Sequence, residues 1–209
     1  MRNKKLLIST SIIILLPVLA GLLLWSRLPE QIPIHWNAAG EVDGWSGKAF
    51  AVFGLPGFML VIHLLCSMVT FLDPKNNDQG SKVLNLVLWI CPVMSILASA
   101  LVYGWALGLE LSVEILMPVF MGILFIIIGN YLPKCKQNYT IGIKLPWTLD
   151  SEENWNATHR FAGKVWSIGG IVVVLTAFLN TVYALLGILL VMAFVPMLYS
   201  FLYYKKHGK

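Results

Sequence analysis

Six apolar stretches, most of them as long as a membrane-crossing helix, constrain this chain more than any other feature of its sequence. A helix needs roughly 20 apolar residues to cross about 30 Å of hydrocarbon. Within lipid only helices and closed barrels satisfy their own backbone hydrogen bonds. The chain is 58% hydrophobic and 12% charged, so we predict an all-α integral membrane protein that forms one domain over 1–209. The predicted helices cover about 6–25, 49–72, 83–107, 111–131, 163–180 and 182–204.

The basic residues predict which loops face the cytoplasm. If successive loops alternate sides, every lysine and arginine except Arg27 and Lys48 falls on one side. Loops rich in these residues stay cytoplasmic, so both termini and the 132–162 loop are predicted to lie inside, and the 26–48 loop outside. The basic pI of about 9.1 then reflects topology and contact with anionic membrane lipid, and we predict no direct nucleic-acid binding.

The outer loop contains LPEQIPIHWNAAGEVDGWSGK, residues 28–48. Pro29 and Pro33 favour an extended backbone, and Asn37 with the following glycines favours turns. An interfacial cap or a partner surface is the favoured interpretation, because Trp36 and Trp45 are suited to the headgroup level of the membrane. A cation site on His35, Asn37, Glu41 and Asp43 is the alternative, although no spacing matches a zinc or calcium motif, and we predict neither a metal nor another cofactor. The candidate binding residues are His35, Trp36, Asn37, Asp43, Trp45 and Lys48.

The inner loop is predicted to begin extended and to end as a helix. Gly142 and Pro146 punctuate IGIKLPWTL, residues 141–149, which looks extended. Asp150 and Glu153 have capping-box spacing, which predicts a helix from about residue 151 that lies along the inner interface and leads into the fifth span. One face of this helix would carry Trp155, Thr158, His159 and Ala162.

The spans contain one strongly ionisable side chain at depth, His63. It recurs at helical spacing with Ser67 and Thr70, so this weakly polar stripe should face the bundle. A neutral histidine bonded to a neighbouring hydroxyl or carbonyl is the favoured interpretation, and a proton or ligand site is the alternative. Prolines interrupt five spans and either are tolerated kinks or bend the helices around a pocket. They are Pro17, Pro56, Pro92, Pro118 and Pro196.

The sequence contains no HExxH, GxSxG or P-loop motif. His35 and His159 are predicted on opposite faces of the membrane, roughly 30 Å apart. Because a nucleophile and its base must lie within hydrogen-bond reach, we expect no catalytic residues and no enzyme.

The two halves of the chain resemble one another. This resemblance suggests a transporter as one possible function of the protein. Each half has three spans with its long loop after the first, so a repeat would be inverted, as in many transporters. The spacings differ, so chance similarity of turn residues is the competing explanation. The matches are Leu28-Pro29 with Leu132-Pro133, Trp36-Asn37-Ala38 with Trp155-Asn156-Ala157, and Gly47-Lys48 with Gly163-Lys164.

The two long loops carry a family resemblance. Residues 28–48 resemble the P-x-x-[IV]-P-x-H-[WF]-N-x-x-G-x-x-[DN]-G-x-x-x-K signature of a bacterial membrane domain of unassigned function. Residues 129–164, GNYLPKCKQNYTIGIKLPWTLDSEENWNATHRFAGK, resemble the signature of the SdpI family. Lys144, where arginine is frequent, and Ala162 beside Gly163 are mild departures. The matching inner-loop positions are Asn130, Lys134, Asn138, Gly142, Lys144, Pro146, Trp147, Trp155, His159 and Arg160.

The resemblance implies an immunity protein in a bacterial cell membrane. Members of the family protect a spore-forming bacterium from its own secreted membrane-active toxin peptide. The founding type also signals, by holding a cytoplasmic winged-helix repressor at the membrane when toxin binds. The outer loop would then meet the toxin and the inner loop would regulate or bind the repressor.

Overall fold

The computed structural model describes residues 2–37, 39–179 and 182–207. Within them, six helices are long and apolar enough to cross a membrane, which confirms the predicted all-α six-helix class. The helices are α1 (Arg2–Leu23), α2 (Leu55–Leu72), α3 (Ser81–Ala106), α4 (Val113–Tyr131), the short α5 (Pro146–Asp150), α6 (Glu152–Thr176) and α7 (Val182–His207). Many large apolar side chains on the long helices are exposed, as expected of surfaces that contact lipid.

The sequence predicts one domain, whereas the structure divides into two compact units. The first comprises Met1–Val69 and Leu84–Val113, and the second comprises Thr70–Val83 and Glu114–Lys209. The polar loop between α2 and α3 therefore packs with the second unit. The inverted repeat of the two halves stays a prediction.

The outer loop folds as a two-stranded antiparallel hairpin of β1 (Gln31–Trp36) and β2 (Val42–Gly47). The prolines keep this segment extended, as predicted, and the register is irregular on both sides of His35. Ile32 of β1 is fully buried in the core of the first unit. The hairpin is thus anchored to the helix ends and is part of the folded unit. That core contains Leu28, Ile32, Ala51, Val52, Val102 and Tyr103.

Pro56 lies inside the span Phe50–Leu72, as predicted, at the junction of a π-helical turn with α2. It is the second residue of α2, which follows a π-helical turn over Phe50–Gly54. The Leu55 amide donates to the Phe50 carbonyl, five residues back. Because proline has no amide hydrogen and its ring crowds the carbonyl four residues before it, a wider turn ahead of Pro56 relieves the conflict.

Polar side chains inside the first unit bond to one another or to backbone. The buried His63 Nε2 lies 3.0 Å from Thr10 Oγ1, which agrees with the favoured interpretation of a histidine satisfied by a hydroxyl. Near Pro17 of α1, Ser95 donates to the Ile14 carbonyl at 2.9 Å and Tyr103 donates to the Pro17 carbonyl at 3.2 Å. These bonds satisfy polar groups that have no water partner in lipid.

The fifth long helix begins at Glu152, and the prediction of a start near 163 is wrong. The interfacial helix expected from about residue 151 and the fifth span are one continuous helix. The Ser151 hydroxyl accepts from the Asn154 amide at 3.1 Å, so Ser151, not Asp150, caps it. The predicted face of α6 is buried: Trp155, Thr158, His159 and Ala162.

Helices α4 and α6 approach closely through paired glycines. A Cβ on Gly122 would lie 2.6 Å from the Gly170 carbonyl oxygen, and one on Gly129 would lie 2.8 Å from the Gly163 carbonyl oxygen. The two glycines on each helix are seven residues apart, so they lie on one face of their helix. Small residues let helix backbones meet in this way in membranes.

Gly122→Ala should destabilise the protein by about 1–3 kcal/mol, because the added methyl group overpacks the α4–α6 contact. Gly187→Ala is the matched control, because a Cβ on Gly187 of α7 meets nothing within 4 Å. Alanine there should leave stability unchanged or raise it by about 0.5–1 kcal/mol, since it is the better helix former. Thermal unfolding of both variants in detergent measures the difference, and equal midpoints would contradict the close contact.

Candidate functional site

The hairpin turn is organised by Asn37. Its side-chain oxygen accepts from the amides of Ala39 at 2.9 Å and Glu41 at 3.0 Å, and its side-chain nitrogen donates to the Glu41 carboxylate at 3.0 Å. Gly40 has a φ of 80°, which L-residues rarely adopt. Asn37, a predicted binding residue, therefore makes the turn that holds β1 and β2 together.

Two tryptophans fix the hairpin to the end of α3. The rings of Trp36 and Trp45 both meet Trp105 edge-on, with centroids 6.5 Å and 5.7 Å away. Trp45 nevertheless remains 52% exposed. Trp36 thus belongs to the packing, while Trp45 packs with one part of its ring and presents the rest.

Lys48 is a structural residue of the first unit. Its side chain is 9% exposed, and Nζ donates to the Trp25 carbonyl at 3.2 Å and to the Glu30 carboxylate at 2.8 Å. Nζ also lies 5.2 Å from the Trp25 ring centroid. This lysine joins the chain leaving α1 to the chain entering α2, and it is not free to meet a ligand.

His35 and Asp43 form a pair on the exposed side of the hairpin. His35 Nδ1 lies 2.5 Å from Asp43 Oδ1, and the two side chains are 70% and 44% exposed. His35 is opposite Gly44 in the register, and a Cβ on Gly44 would lie 2.8 Å from His35 Cβ. Gly44 therefore makes room for the imidazole, and the pair with Trp45 is what the predicted outer site leaves accessible.

Asn138 organises the inner loop as Asn37 organises the hairpin. It is fully buried, and its side-chain oxygen accepts from the amides of Thr140 at 2.8 Å and Ile141 at 2.6 Å. Its nitrogen donates to the carbonyls of Lys136 at 2.8 Å and Ile141 at 2.9 Å. Buried backbone groups need such partners, so Asn138 holds the loop together.

His159 joins the inner loop to α6. Its Nε2 accepts from the Ile143 amide at 3.0 Å, and its Nδ1 donates to the Trp155 carbonyl at 2.8 Å. Because an amide can only donate and a carbonyl can only accept, these partners define the neutral tautomer with its proton on Nδ1. The ring stacks on Trp155 with centroids 4.1 Å apart, and Trp155 Nε1 donates to the Cys135 carbonyl at 2.8 Å.

Residues 146–150 form the helix α5, which corrects the prediction that this stretch is extended. Pro146 lies in its first turn, where a missing amide hydrogen costs nothing. The buried Thr148 hydroxyl donates within the turn and accepts from the Leu145 amide at 2.8 Å. Trp147 Nε1 donates to the Ser200 hydroxyl at 2.9 Å, so α5 is fixed to α7.

Sequence reasoning missed the contribution of the loop between α2 and α3. The buried Asp73 accepts from the Tyr139 amide at 2.7 Å and the Thr140 hydroxyl at 3.0 Å. Gln79 bonds to both the amide and the carbonyl of Lys136. Nothing local in DPKNNDQG, residues 73–80, indicates that this short loop supports the inner loop.

Sequence reasoning also missed a buried polar cluster between α6 and α7. The Asn154 side-chain oxygen accepts from the hydroxyls of Ser200 and Thr158, both at 2.9 Å. Its nitrogen donates to the Ser200 carbonyl at 3.2 Å. The available signal was spacing, because Asn154 and Thr158 share one face of a helix, but the partner Ser200 is distant in sequence.

Cys135 has the environment of a structural cysteine. The thiol is buried beneath the inner loop and donates to the Ile141 carbonyl at 3.4 Å. Burial raises the pKa of this thiol to about 11. The thiolate is the reactive form, so Cys135 is neutral and unreactive near pH 7.

The remaining predicted inner-loop residues are exposed. Lys134, Lys136 and Lys144 project from the folded loop, although Lys144 Nζ donates to the Thr140 carbonyl at 3.0 Å. Asn130 at the end of α4 and Arg160 on α6 are exposed as well. The predicted set therefore separates into residues that build the loop and residues that the loop presents.

These features define a multi-pass membrane protein with six long helices, a folded hairpin after the first and a folded loop before the fifth. Residues 134–200 match the SdpI/YfhL protein family, and residues 12–60 match a domain of unknown function (DUF1648). The chain is 31% identical over 210 residues to the Immunity protein SdpI of Bacillus subtilis (strain 168), covering 97% of each chain. The chain belongs to the SdpI family and is a multi-pass protein of the bacterial membrane. No solved structure matches it.

Gly142→Ala should unfold the inner loop locally and cost about 2 kcal/mol or more. Gly142 has a φ of 111°, and a Cβ there would meet His159 Nε2 and the Trp155 ring. Gly108→Ala is the control, because Gly108 has a φ of 84° but open space around it, so alanine adds backbone strain alone, about 1 kcal/mol. Thermal unfolding in detergent compares the two, and an equal loss in both variants would refute the contact with His159.

Proposed function

We propose that this chain is an immunity protein that protects a bacterium from a secreted membrane-active toxin peptide. The observation that carries the proposal is the 31% identity to the Immunity protein SdpI across 97% of both chains. Similarity over the whole length includes both long loops. The proposal therefore concerns the complete six-helix protein and not one shared segment.

The outer hairpin is the proposed toxin-binding surface. The orientation predicted from lysine and arginine places it outside the cell, where a secreted peptide arrives. His35, Asp43 and Trp45 are the exposed members of the predicted site. An aromatic side chain with polar neighbours is typical of binding surfaces. The turn hydrogen bonds of Asn37 and the packed contacts of Trp36 and Lys48 hold this surface in place.

Rigidity supports this surface as a binding site. Both tryptophans of the hairpin contact Trp105, and Lys48 fixes the base of β2 to Trp25 and Glu30. A surface that is ordered before binding loses less conformational entropy when the peptide docks. The imidazole and carboxylate are then presented at a fixed separation to a peptide that lies at the membrane surface.

The double variant His35→Ala/Asp43→Ala should abolish protection while leaving the amount of protein in the membrane unchanged. Both side chains are exposed and bond mainly to each other. Their substitution therefore changes the surface of the hairpin without disturbing its buried packing. The measurement is survival of the source bacterium, with its own gene deleted and the variant supplied, in medium conditioned by its parent strain. Asp43→Asn removes the negative charge of the carboxylate but keeps the shape of the side chain, so it tests whether protection needs the charge.

Gln31→Ala is the matched control, because Gln31 is an exposed residue of the same strand and should protect fully. Asn37→Ala removes the hydrogen bonds of the turn and should lower both protection and abundance. Full protection by the double variant would remove the hairpin as the toxin site. Failure of the unaltered chain to protect would remove the immunity function itself.

The inner loop is the proposed docking surface for a cytoplasmic winged-helix repressor. The charge-based orientation places it inside the cell. Lys134, Lys136 and Lys144 are exposed on a loop whose backbone is bonded throughout by Asn138, Asp73 and Gln79. An ordered basic surface attracts an acidic face of a soluble partner and speeds its association.

Charge reversal of Lys134, Lys136 and Lys144 to glutamate should release the repressor without loss of toxin protection. The measurement is the fraction of a tagged winged-helix repressor of the same bacterium that sediments with membranes after exposure to conditioned medium. Reversal of Lys205 and Lys206, which lie at the end of α7, is the control with charge changes away from the loop. Equal sedimentation in both variants would exclude the inner loop as the docking surface.

A further inference from the structure

The second unit contains a cleft of about 720 Å³ beside the end of α4 and the first half of α6. This volume lies within the range of small-molecule sites. Its polar lining includes Asn130, Arg160 and Lys164, and its apolar lining includes Pro133, Phe161 and Ile168. No aspartate or glutamate is among the described residues that line it. The cleft is therefore cationic at one part and apolar at another.

Neither cation of the cleft forms an ion pair with a carboxylate in the part of the chain that the structure describes. Arg160 and Lys164 are four residues apart on α6, so they lie on one face of the helix. Among the described residues, the ion pairs are His35 with Asp43 and Lys48 with Glu30, and neither Arg160 nor Lys164 takes part. Both lie in the polar first half of α6, on the side predicted to face the cytoplasm, and both are exposed. Basic side chains just cytoplasmic of an apolar span can reach the headgroup level, where anionic lipid attracts them.

We propose that this cleft binds the headgroup of an anionic phospholipid, with the phosphate on Arg160 and Lys164 and an acyl chain along the apolar wall. A guanidinium matches the oxygens of a phosphate and can bind two of them. Basic pockets between membrane helices are suited to lipid headgroups. This inference does not depend on the immunity function.

The apolar wall favours a lipid over a soluble anion. Ile168 lies four residues beyond Lys164 on α6 and is 63% exposed, so it extends the lining of the cleft away from the cations. Phe161 stacks on Tyr199 with ring centroids 4.2 Å apart, which gives a firm side wall. A free phosphate would use the cations and leave this apolar surface uncovered, whereas a phospholipid covers both.

The position of Asn130 supports the same ligand. It is exposed at the end of α4, and its side chain forms no hydrogen bond with a described residue. Its side-chain amide can donate to a phosphate or glycerol oxygen.

The test is binding of dioleoyl phosphatidylglycerol to the purified full chain by native mass spectrometry, with dioleoyl phosphatidylcholine as the neutral lipid. We expect the anionic lipid to bind preferentially, and Arg160→Gln/Lys164→Gln to weaken it about 30-fold. Lys164→Gln alone should weaken binding of the anionic lipid about fivefold. Because Lys164 is exposed, this single variant serves if the double variant does not fold. Lys205→Gln/Lys206→Gln removes the same charge outside the cleft and should bind normally.

Three outcomes would overturn the proposal. Equal binding of the two lipids by the unaltered chain would show that the cations do not select the headgroup. Equal phosphatidylglycerol affinity in the cleft variants and the α7 control would place the lipid elsewhere. Binding of glycerol phosphate or of a soluble polyglutamate peptide that needs Arg160 and Lys164, without preferential lipid binding, would assign the cleft to a soluble anion or to an acidic protein.

Discussion

The rest of the structure depends on side chains of the two long loops that hydrogen-bond to the loop backbone, buried in the inner loop and partly exposed at the hairpin turn. A buried amide or carbonyl without a partner costs more than an ordinary hydrogen bond contributes, and lipid offers no substitute. Asn37 and Asn138 each bond to several backbone groups across a turn. His159 performs the same task between the inner loop and α6. These side chains allow irregular backbone to fold beside a membrane, and the exposed surfaces follow from them.

The helices could be predicted from the sequence because apolar length decides whether a segment spans a membrane. The start of α6 was missed on hydropathy alone, since its first turns are polar, although the helical face containing Trp155 and His159 was found from spacing. The bonds of Asp73 to Tyr139 and Thr140 join residues 66 and 67 positions apart. No local pattern predicts such contacts, because they depend on how helices place the loop ends.

The residues of the candidate site could be predicted from the sequence motifs, but the role of each residue could not. His35 and Asn37 are two residues apart in the same motif, yet one is presented to solvent and the other closes a turn. A motif records that a residue type is needed and does not distinguish a structural hydrogen bond from a binding contact. The similar fragments Trp36-Asn37 and Trp155-Asn156 show the same limit, because the first leads from a strand into a turn and the second lies within a helix.

Residues that the fold does not use are the stronger candidates for binding. The hairpin leaves His35, Asp43 and Trp45 accessible, whereas the second unit leaves accessible Asn130 of α4, the lysines of the inner loop and Arg160 of α6. Those two exposed sets differ in charge: the hairpin presents a histidine–carboxylate pair and an indole, and the second unit presents cations. A peptide that inserts from outside and an anionic group at the membrane surface are different ligands. The division of exposed charge between the two units therefore supports separate sites with separate partners.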